Sequence, residues 1–188
     1  MNLKKSAKAR KKEKCFLVEG PRMFFEIPKD RIEECYLTEE FEDKYAEELK
    51  GWHYELISEN VCKHLSDTKT PQGVIAVVRR TEPSIEELLH KEKNPCFFLL
   101  ENLQDPGNLG TIVRTAEGAG VTGIIMNRET VDIYNPKTIR STMGALYRMP
   151  FVYVEDLRET IHTLKEKNIK SYAAHLDGKN TYDKEDYR

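Results

Sequence analysis

Apolar and polar positions change period repeatedly along this chain, most sharply between Cys96 and Met126. Cys96–Leu100 is a short unbroken apolar run, of the length expected for one buried parallel strand. Asp105-Pro106 follows as a helix start, with Asp as N-cap and Pro at the first helical position. Residues 107–119 keep a helical period, Gly120 stands where a left-handed cap belongs, and Gly123–Met126 opens the next strand. At about 100° per residue, Leu109, Ile112, Val113, Ala116 and Ala119 share the expected core face of this helix. The other side carries Gly107, Gly110, Thr111, Arg114, Glu117 and Gly118. A helical glycine costs roughly 1 kcal/mol relative to alanine, so something is expected close against this backbone. Two occupants fit: a neighbouring helix, or a ligand or nucleic-acid backbone at which Arg114 is aimed.

Upstream, strand and helix patterns alternate over residues 14–80. Lys14–Gly20 reads as a strand ending in a turn, Pro21 starts a short helix over 21–27, and Glu34–Thr38 reads as a second strand. Glu39–Lys50 is helical in period, with Phe41, Tyr45 and Leu49 in line, and Gly51 stops it. His53–Ile57 is a third strand, Ser58 caps a helix to about His64, and Gly73–Val78 is a fourth strand. This order predicts a small α/β/α domain. Trp52 and Tyr54 are either core residues or base-stacking platforms. Residues 81–95, charged and flanked by prolines, read as a linker with a short helix from Ser84. Residues 96–188 then form a second domain. Asn135-Pro136 starts a helix, Phe151–Val154 is a strand, and Glu155–Lys167 is a helix with Leu157, Ile161 and Leu164 inward. Lys170–Leu176 is read as a further strand. The expectation for this half is a Rossmann-like, mostly parallel sheet with helices on both faces.

Charge modifies this picture at one end. The 188-residue chain has a net charge of −2, which by itself gives no support to nucleic-acid binding. Residues 1–14, however, hold seven basic residues against the single acid Glu13, a local +6 that leaves −8 for the remainder. Residues 1–13 are read as a flexible basic arm, either a solvated terminus or a phosphate-contacting segment. No apolar stretch approaches the roughly 18 residues of a membrane helix, and no apolar segment of signal-peptide type follows the basic start. Cys15, Cys35, Cys62 and Cys96 are scattered, so reduced thiols and a cytoplasmic location are expected, with no metal site.

The run DPGNLGTIVRTAEGAG resembles the first signature of the SpoU-type (TrmH-like) RNA 2′-O-methyltransferases of the SPOUT superfamily. That signature is an Asp-Pro-x-Asn-x-Gly turn and a helix with Arg six residues after the Asn; Asn108 and Arg114 match its polar positions. Ile139–Ala145 resembles a second family segment, Arg-Ala-Ser-x-Gly-Ala, with Thr142 as a departure. Its Ser141 and Gly144 suit either a small-residue packing seam or a substrate contact. LVEGPR and LSDTKTPQGVIAVV resemble the ribosomal-protein-like RNA-binding domain often fused ahead of such catalytic domains; Glu19, Gly20, Gln72 and Gly73 belong to its recurring turns. Two later family signatures, a Gly-x-Glu-x-x-Gly loop and a Ser-Leu-Asn-Val helix start, do not occur in this sequence. In the family they build the α/β knot and the S-adenosylmethionine pocket. The expectation is therefore a C-terminally truncated knot domain, with no cofactor-binding residue carried over.

The resemblance implies methyl transfer from S-adenosylmethionine to a ribose 2′-hydroxyl of structured RNA, ribosomal RNA by domain layout or else tRNA, with Arg114 activating the hydroxyl and Asn108 assisting. An arginine with pKa above about 12 is a poor base. It acts more readily by lowering the hydroxyl's pKa and clamping the adjacent phosphate. Glu117, at i+3, is placed to steer Arg114 or to sit as a plain surface partner. Gly107, Gly110, Thr111, Glu117, Gly118, Ser141 and Gly144, together with Glu19, Gly20 and Gln72, are the candidate RNA contacts. A homodimer is implied for the complete family member. Two other classes compete: a non-catalytic RNA-binding protein, and a nucleotide-binding enzyme using the 105–110 helix start.

Overall fold

The computed structural model describes residues 3–185; expectations for residues 1–2 and 186–188 lie outside the described residues. The chain enters through helix α1, Ala7–Glu13, whose N-cap Ser6 accepts a hydrogen bond from the Ala9 N–H. Over its described part this segment differs from the free arm expected of it. Leu3 and Arg10 are buried. The Arg10 guanidinium donates to the Asp132 carboxylate at 2.7 and 2.9 Å and to the Leu3 carbonyl at 2.7 Å. A partner 122 residues away thus docks the helix.

Strand β1, Cys15–Glu19, follows, with alternate residues buried. Then come α2, Pro21–Phe24; β2, Ile32–Leu37; α3, Glu39–Lys44; β3, Glu55–Leu56; α4, Glu59–Leu65; and β4, Val74–Arg79. The strands form one sheet in the order β1-β4-β2-β3, antiparallel except for the β2–β3 pair. Central β4 is buried from Val74 to Val78, as a strand covered on both faces must be. α2, α3 and β3 are shorter than periodicity suggests, α2 ending at Phe24. The chain leaves helical geometry at Tyr45 (φ −119°), and Leu49 reaches the core through a following turn. β3 keeps two residues, Glu55 and Leu56, in register with Tyr36 and Leu37 of β2, and the Ile57 N–H donates to the Leu37 carbonyl just beyond them. Trp52 packs on Phe24, ring centroids 4.4 Å apart, with the Lys29 ammonium 4.8 Å above its ring.

The expected linker carries α5, Ile85–Leu89, closed by a capping box between Ser84 and Glu87. The second sheet is parallel, in the order of β5, Phe97–Leu100; β6, Gly123–Asn127; and β7, Phe151–Val154. Helix α6, Pro106–Gly118, joins β5 to β6, α7, Pro136–Thr142, lies between β6 and β7, and α8, Leu157–Glu166, follows. Alternation along β6 separates the two faces. Ile124 and Met126 join Leu109, Val113 and Ala116 of α6 in one cluster, whereas Ile125 packs with Leu157 and Leu164 of α8 and with Ile85 and Leu89 of α5. Two expectations fail. Ala119 is exposed, because α6 has already ended. Lys170–Leu176 forms no strand among the described residues; it is exposed throughout, and a strand without a paired neighbour and a buried face has little to hold it.

The larger core runs across the expected domain boundary, from Phe16, Val18 and Phe24 to Ile124, Tyr134 and Leu146. Phe16 and Tyr134 meet with centroids 4.5 Å apart. The buried Tyr134 hydroxyl donates to the Thr81 carbonyl and accepts from the Thr81 N–H, both at 3.0 Å. The two sheets are therefore joined by packing as well as by residues 81–95.

Candidate RNA-facing site

The site is built on α6. The Asp105 carboxylate accepts from the Asn108 N–H at 2.7 Å and lies 3.7 Å from the Lys137 ammonium. That backbone bond first, and Lys137 after it, hold the carboxyl below its ordinary range. The helix start is thus already supplied with an anion, which argues against the nucleotide-binding reading. The Asn108 side chain is exposed, and so is Arg114, which has no hydrogen bond or ion pair among the described residues. The two residues are separated by roughly 9 Å along the helix axis.

The small-residue side of α6 is two surfaces. Gly110 is buried, and a Cβ there would overlap the Ser141 Cβ and sit 3.0 Å from the Thr138 carbonyl oxygen. Here the occupant is helix α7, and Ser141 belongs to a packing seam, its hydroxyl donating to the Lys137 carbonyl. Gly118 has nothing within 4 Å of such a Cβ, and Gly107 meets only the Asp105 carboxylate. Thr111 is exposed, with its hydroxyl folded onto the Gly107 carbonyl at 3.0 Å. The open part of the face is therefore Gly107, Thr111, Arg114 and Gly118.

Glu117 does not steer Arg114. Its carboxylate accepts from Arg148 Nε at 2.6 Å, while Arg148 Nη1 donates to Glu26, also at 2.6 Å. Those two bonds hold the Arg148 guanidinium still more firmly protonated. Gly144, at φ +96°, lies against the same Glu26 carboxylate, so a side chain there would be strained and would displace Glu26. Glu117 and Gly144 thus belong to a clasp with Glu26 and Arg148, and not to a group around Arg114 as their place in the sequence suggests.

Glu19, Gly20 and Gln72 do come together. The Glu19 carboxylate accepts from the Ser66 hydroxyl at 2.5 Å and from the Asp67 N–H at 2.7 Å, shaping the loop after α4. Gly20, at φ +86°, lies under Gln72, whose Oε1 would be 2.6 Å from a Cβ. Arg140 of α7 reaches the Asp67 carboxylate at 3.3 Å. The loop of the first sheet and α6 of the second are therefore linked through α7.

One group escaped the sequence reading. At the C-terminal ends of β5 and β6, Asn102 (φ +53°) and Asn127 pair through their side chains at 2.7 Å. Asn127 Oδ1 also accepts from the Asn102 N–H at 2.9 Å and from the Thr130 hydroxyl at 2.8 Å. Open α/β sheets place ligands at such strand ends. An Asn just after each of two apolar runs was the available signal. These polar groups satisfy one another. The buried side-chain atoms without a partner among the described residues, Arg80 Nε and Tyr147 Oη, lie elsewhere. Cavities of about 370 Å³, bordered by Trp52, Tyr36 and Glu33, and about 570 Å³, bordered by Thr81, Leu88 and Tyr147, do not include Asn108 or Arg114.

All four cysteines are free, and burial pushes the Cys35 thiol up to about 12. No group of three His, Cys, Asp or Glu among the described residues is arranged to hold a metal. No described helix is long and apolar enough to cross a membrane.

Comparison with known proteins adds to this geometry. Residues 95–188 match the model of the SpoU rRNA methylase family, and residues 1–76 match that of an MRM3-like substrate-binding domain. The 23S rRNA (guanosine(2553)-2′-O)-methyltransferase RlmP of Bacillus subtilis is 32% identical over 172 residues, 90% of this chain and 66% of the relative. Human mitochondrial rRNA methyltransferase 3 is 36% identical over 168 residues, 81% of this chain and 38% of the relative. Among solved structures, an rRNA methyltransferase from Sinorhizobium meliloti superposes with a TM-score of 0.80 at 26% identity, covering 97% of this chain and 71% of that one. Its AdoMet-bound form gives 0.70 at 25% identity, over 85% and 61%. The chain thus spans 66% and 38% of the lengths of the two relatives.

Proposed function

Because this chain belongs to the SpoU rRNA methylase family, we propose that it forms the acceptor-RNA side of an enzyme that methylates a ribose 2′-hydroxyl of ribosomal RNA. The observation that carries this reading is Arg114, an exposed cation without a partner among the described residues, on the helix that matches the family's first signature. A ribose hydroxyl is a weak nucleophile. Holding it in line is worth several kcal/mol, and assisting loss of its proton contributes roughly 10²–10⁴-fold. Arg114 clamps the neighbouring phosphate and stabilises the developing oxyanion, while Asn108 hydrogen-bonds the ribose. Gly107, Thr111 and Gly118 leave the RNA backbone room beside Arg114. Gln72, in the loop before β4 and over Gly20, presents an amide from the first half of the chain.

S-adenosylmethionine supplies the methyl group in this reading, as the AdoMet-bound neighbour suggests. The described residues do not form a cradle for it: the polar groups at the strand ends are satisfied internally. No step is therefore assigned to the cofactor. The site of action is proposed to be the cytoplasm, in keeping with four free thiols, with the complete protein acting as a homodimer.

The test is incubation of the intact enzyme that carries this chain with unmodified ribosomal RNA and methyl-labelled S-adenosylmethionine, followed by nucleoside analysis. Label in a 2′-O-methylnucleoside is expected. Label on a base, or no affinity for RNA, overturns the reading; RNA binding without transfer returns the non-catalytic alternative.

A further inference from the structure

We propose that the outer face of α1, formed by Lys8, Lys11 and Lys12, is a second RNA-phosphate contact, held at a set position relative to Arg114 by the buried Arg10–Asp132 pair. This rests on the RNA-methyltransferase reading above. At about 100° per residue, Lys8 and Lys12 lie opposite the inward-facing Arg10, with Lys11 to one side. All three are exposed. Lys8 and Lys11 have no hydrogen bond or ion pair among the described residues, and Lys12 approaches only its neighbour Glu13, at 3.8 Å.

A seven-residue helix is not stable alone in water, and like charges at i,i+3 and i,i+4 weaken it further. The lysines are presented as a row because the opposite face is docked. Arg10, 4% exposed in its side chain, reaches Asp132 at 2.7 Å. The Asp132 carbonyl accepts from the N–H of Asn135, the N-cap of α7. Helix α7 in turn packs through Ser141 on Gly110 of α6, which carries Arg114. On the other side, the Lys4 ammonium donates to the Ser66 carbonyl, beside the loop that Glu19 shapes. The acids along this route, Asp67, Asp105 and Asp132, are each paired with Arg140, Lys137 or Arg10. Lys8 and Lys11 are left as unneutralised charge, with Lys12 beside Glu13.

A row of lysines on an otherwise polar helix suits a phosphate chain. The helix contains no residue more apolar than Ala7 and Ala9, so it has nothing to insert into a lipid surface.

The experiment measures binding of the chain to a fluorescently labelled RNA stem-loop by anisotropy over a range of KCl concentrations. The Lys8→Glu/Lys11→Glu/Lys12→Glu variant is compared with a control of equal charge change, Arg158→Glu/Lys165→Glu/Lys167→Glu, on and beside α8, across the second sheet from α6. The α1 variant is expected to bind about tenfold or more weakly, with the slope of log K against log salt reduced by about two to three. The control is expected to change affinity much less. Equal losses in both variants, or an unchanged slope in the α1 variant, overturn the proposal while leaving RNA binding intact. If the unsubstituted chain does not bind the stem-loop, the underlying RNA reading fails, and this proposal with it. A third variant, Arg10→Met/Asp132→Leu, removes both buried charges but keeps the lysines. It is expected to weaken binding several-fold with its fold intact by circular dichroism, and unchanged affinity overturns the positioning role.

Discussion

Two arginines near α6 stand in opposite circumstances. Arg148 is held by Glu117 on the helix and by Glu26 in the turn after α2, each at 2.6 Å, and ties the two halves of the chain together. Arg114, on the same helix as Glu117, is exposed and has no partner among the described residues. The glycines repeat this contrast: Gly110 is closed by α7, whereas Gly118 faces open space. A cation whose charge is already satisfied serves the fold. One that is left unsatisfied on a well-packed helix is available to a ligand.

The strongest challenge to this contrast is Arg114→Ala. In the intact enzyme, methyl transfer is expected to fall by at least roughly tenfold, with RNA affinity within a few fold and the melting temperature unchanged. A variant that keeps more than about a tenth of the rate would sink the assigned role. Next comes Gly110→Ala, which forces a methyl group into the α6–α7 seam. A loss of about 1–3 kcal/mol in denaturant unfolding is expected; a neutral result would mean that the seam is loose. Gly118→Ala should have the opposite sign, gaining up to about 1 kcal/mol because the position is open and helical. If it also lowers RNA affinity, the backbone of the nucleic acid passes over that position. The smallest effect is expected from Glu117→Gln, about 0.2–1 kcal/mol in thermal unfolding for a partly exposed ion pair. Transfer rate should hold, and a rate loss as large as that of Arg114→Ala would restore Glu117 to the site.

Much of the fold was legible locally. Asp105, Asn135, Ser58 and Ser84 all cap the helices their sequence context announces, because a cap is decided by a side chain and the N–H groups two or three residues on. The strand at Lys170–Leu176 was misread for the complementary reason, since a strand exists only if a neighbour pairs with it. The candidate site divided in the same way. Asn108 and Arg114 were found by motif, and both are exposed. Of the two roles open to Glu117, steering Arg114 or a plain surface pairing, the bond to Arg148 is of the second kind, and that partner lies 31 residues further on. The Asn102–Asn127 pair was missed because nothing local links two strand ends 25 residues apart.

By itself the sequence determined the element order up to α8, most of the helix starts and apolar faces, and the signature carrying Asn108 and Arg114, all of which depend on neighbours within about one or two helical turns. Tertiary structure decided which glycine faces a helix and which faces solvent, which arginine is neutralised, and that the basic N-terminal segment is docked rather than free. Those outcomes depend on groups such as Arg10 and Asp132, 122 residues apart, which meet only when two sheets share a core. Periodicity can show that a face exists, but the chain must close on itself before that face has a neighbour.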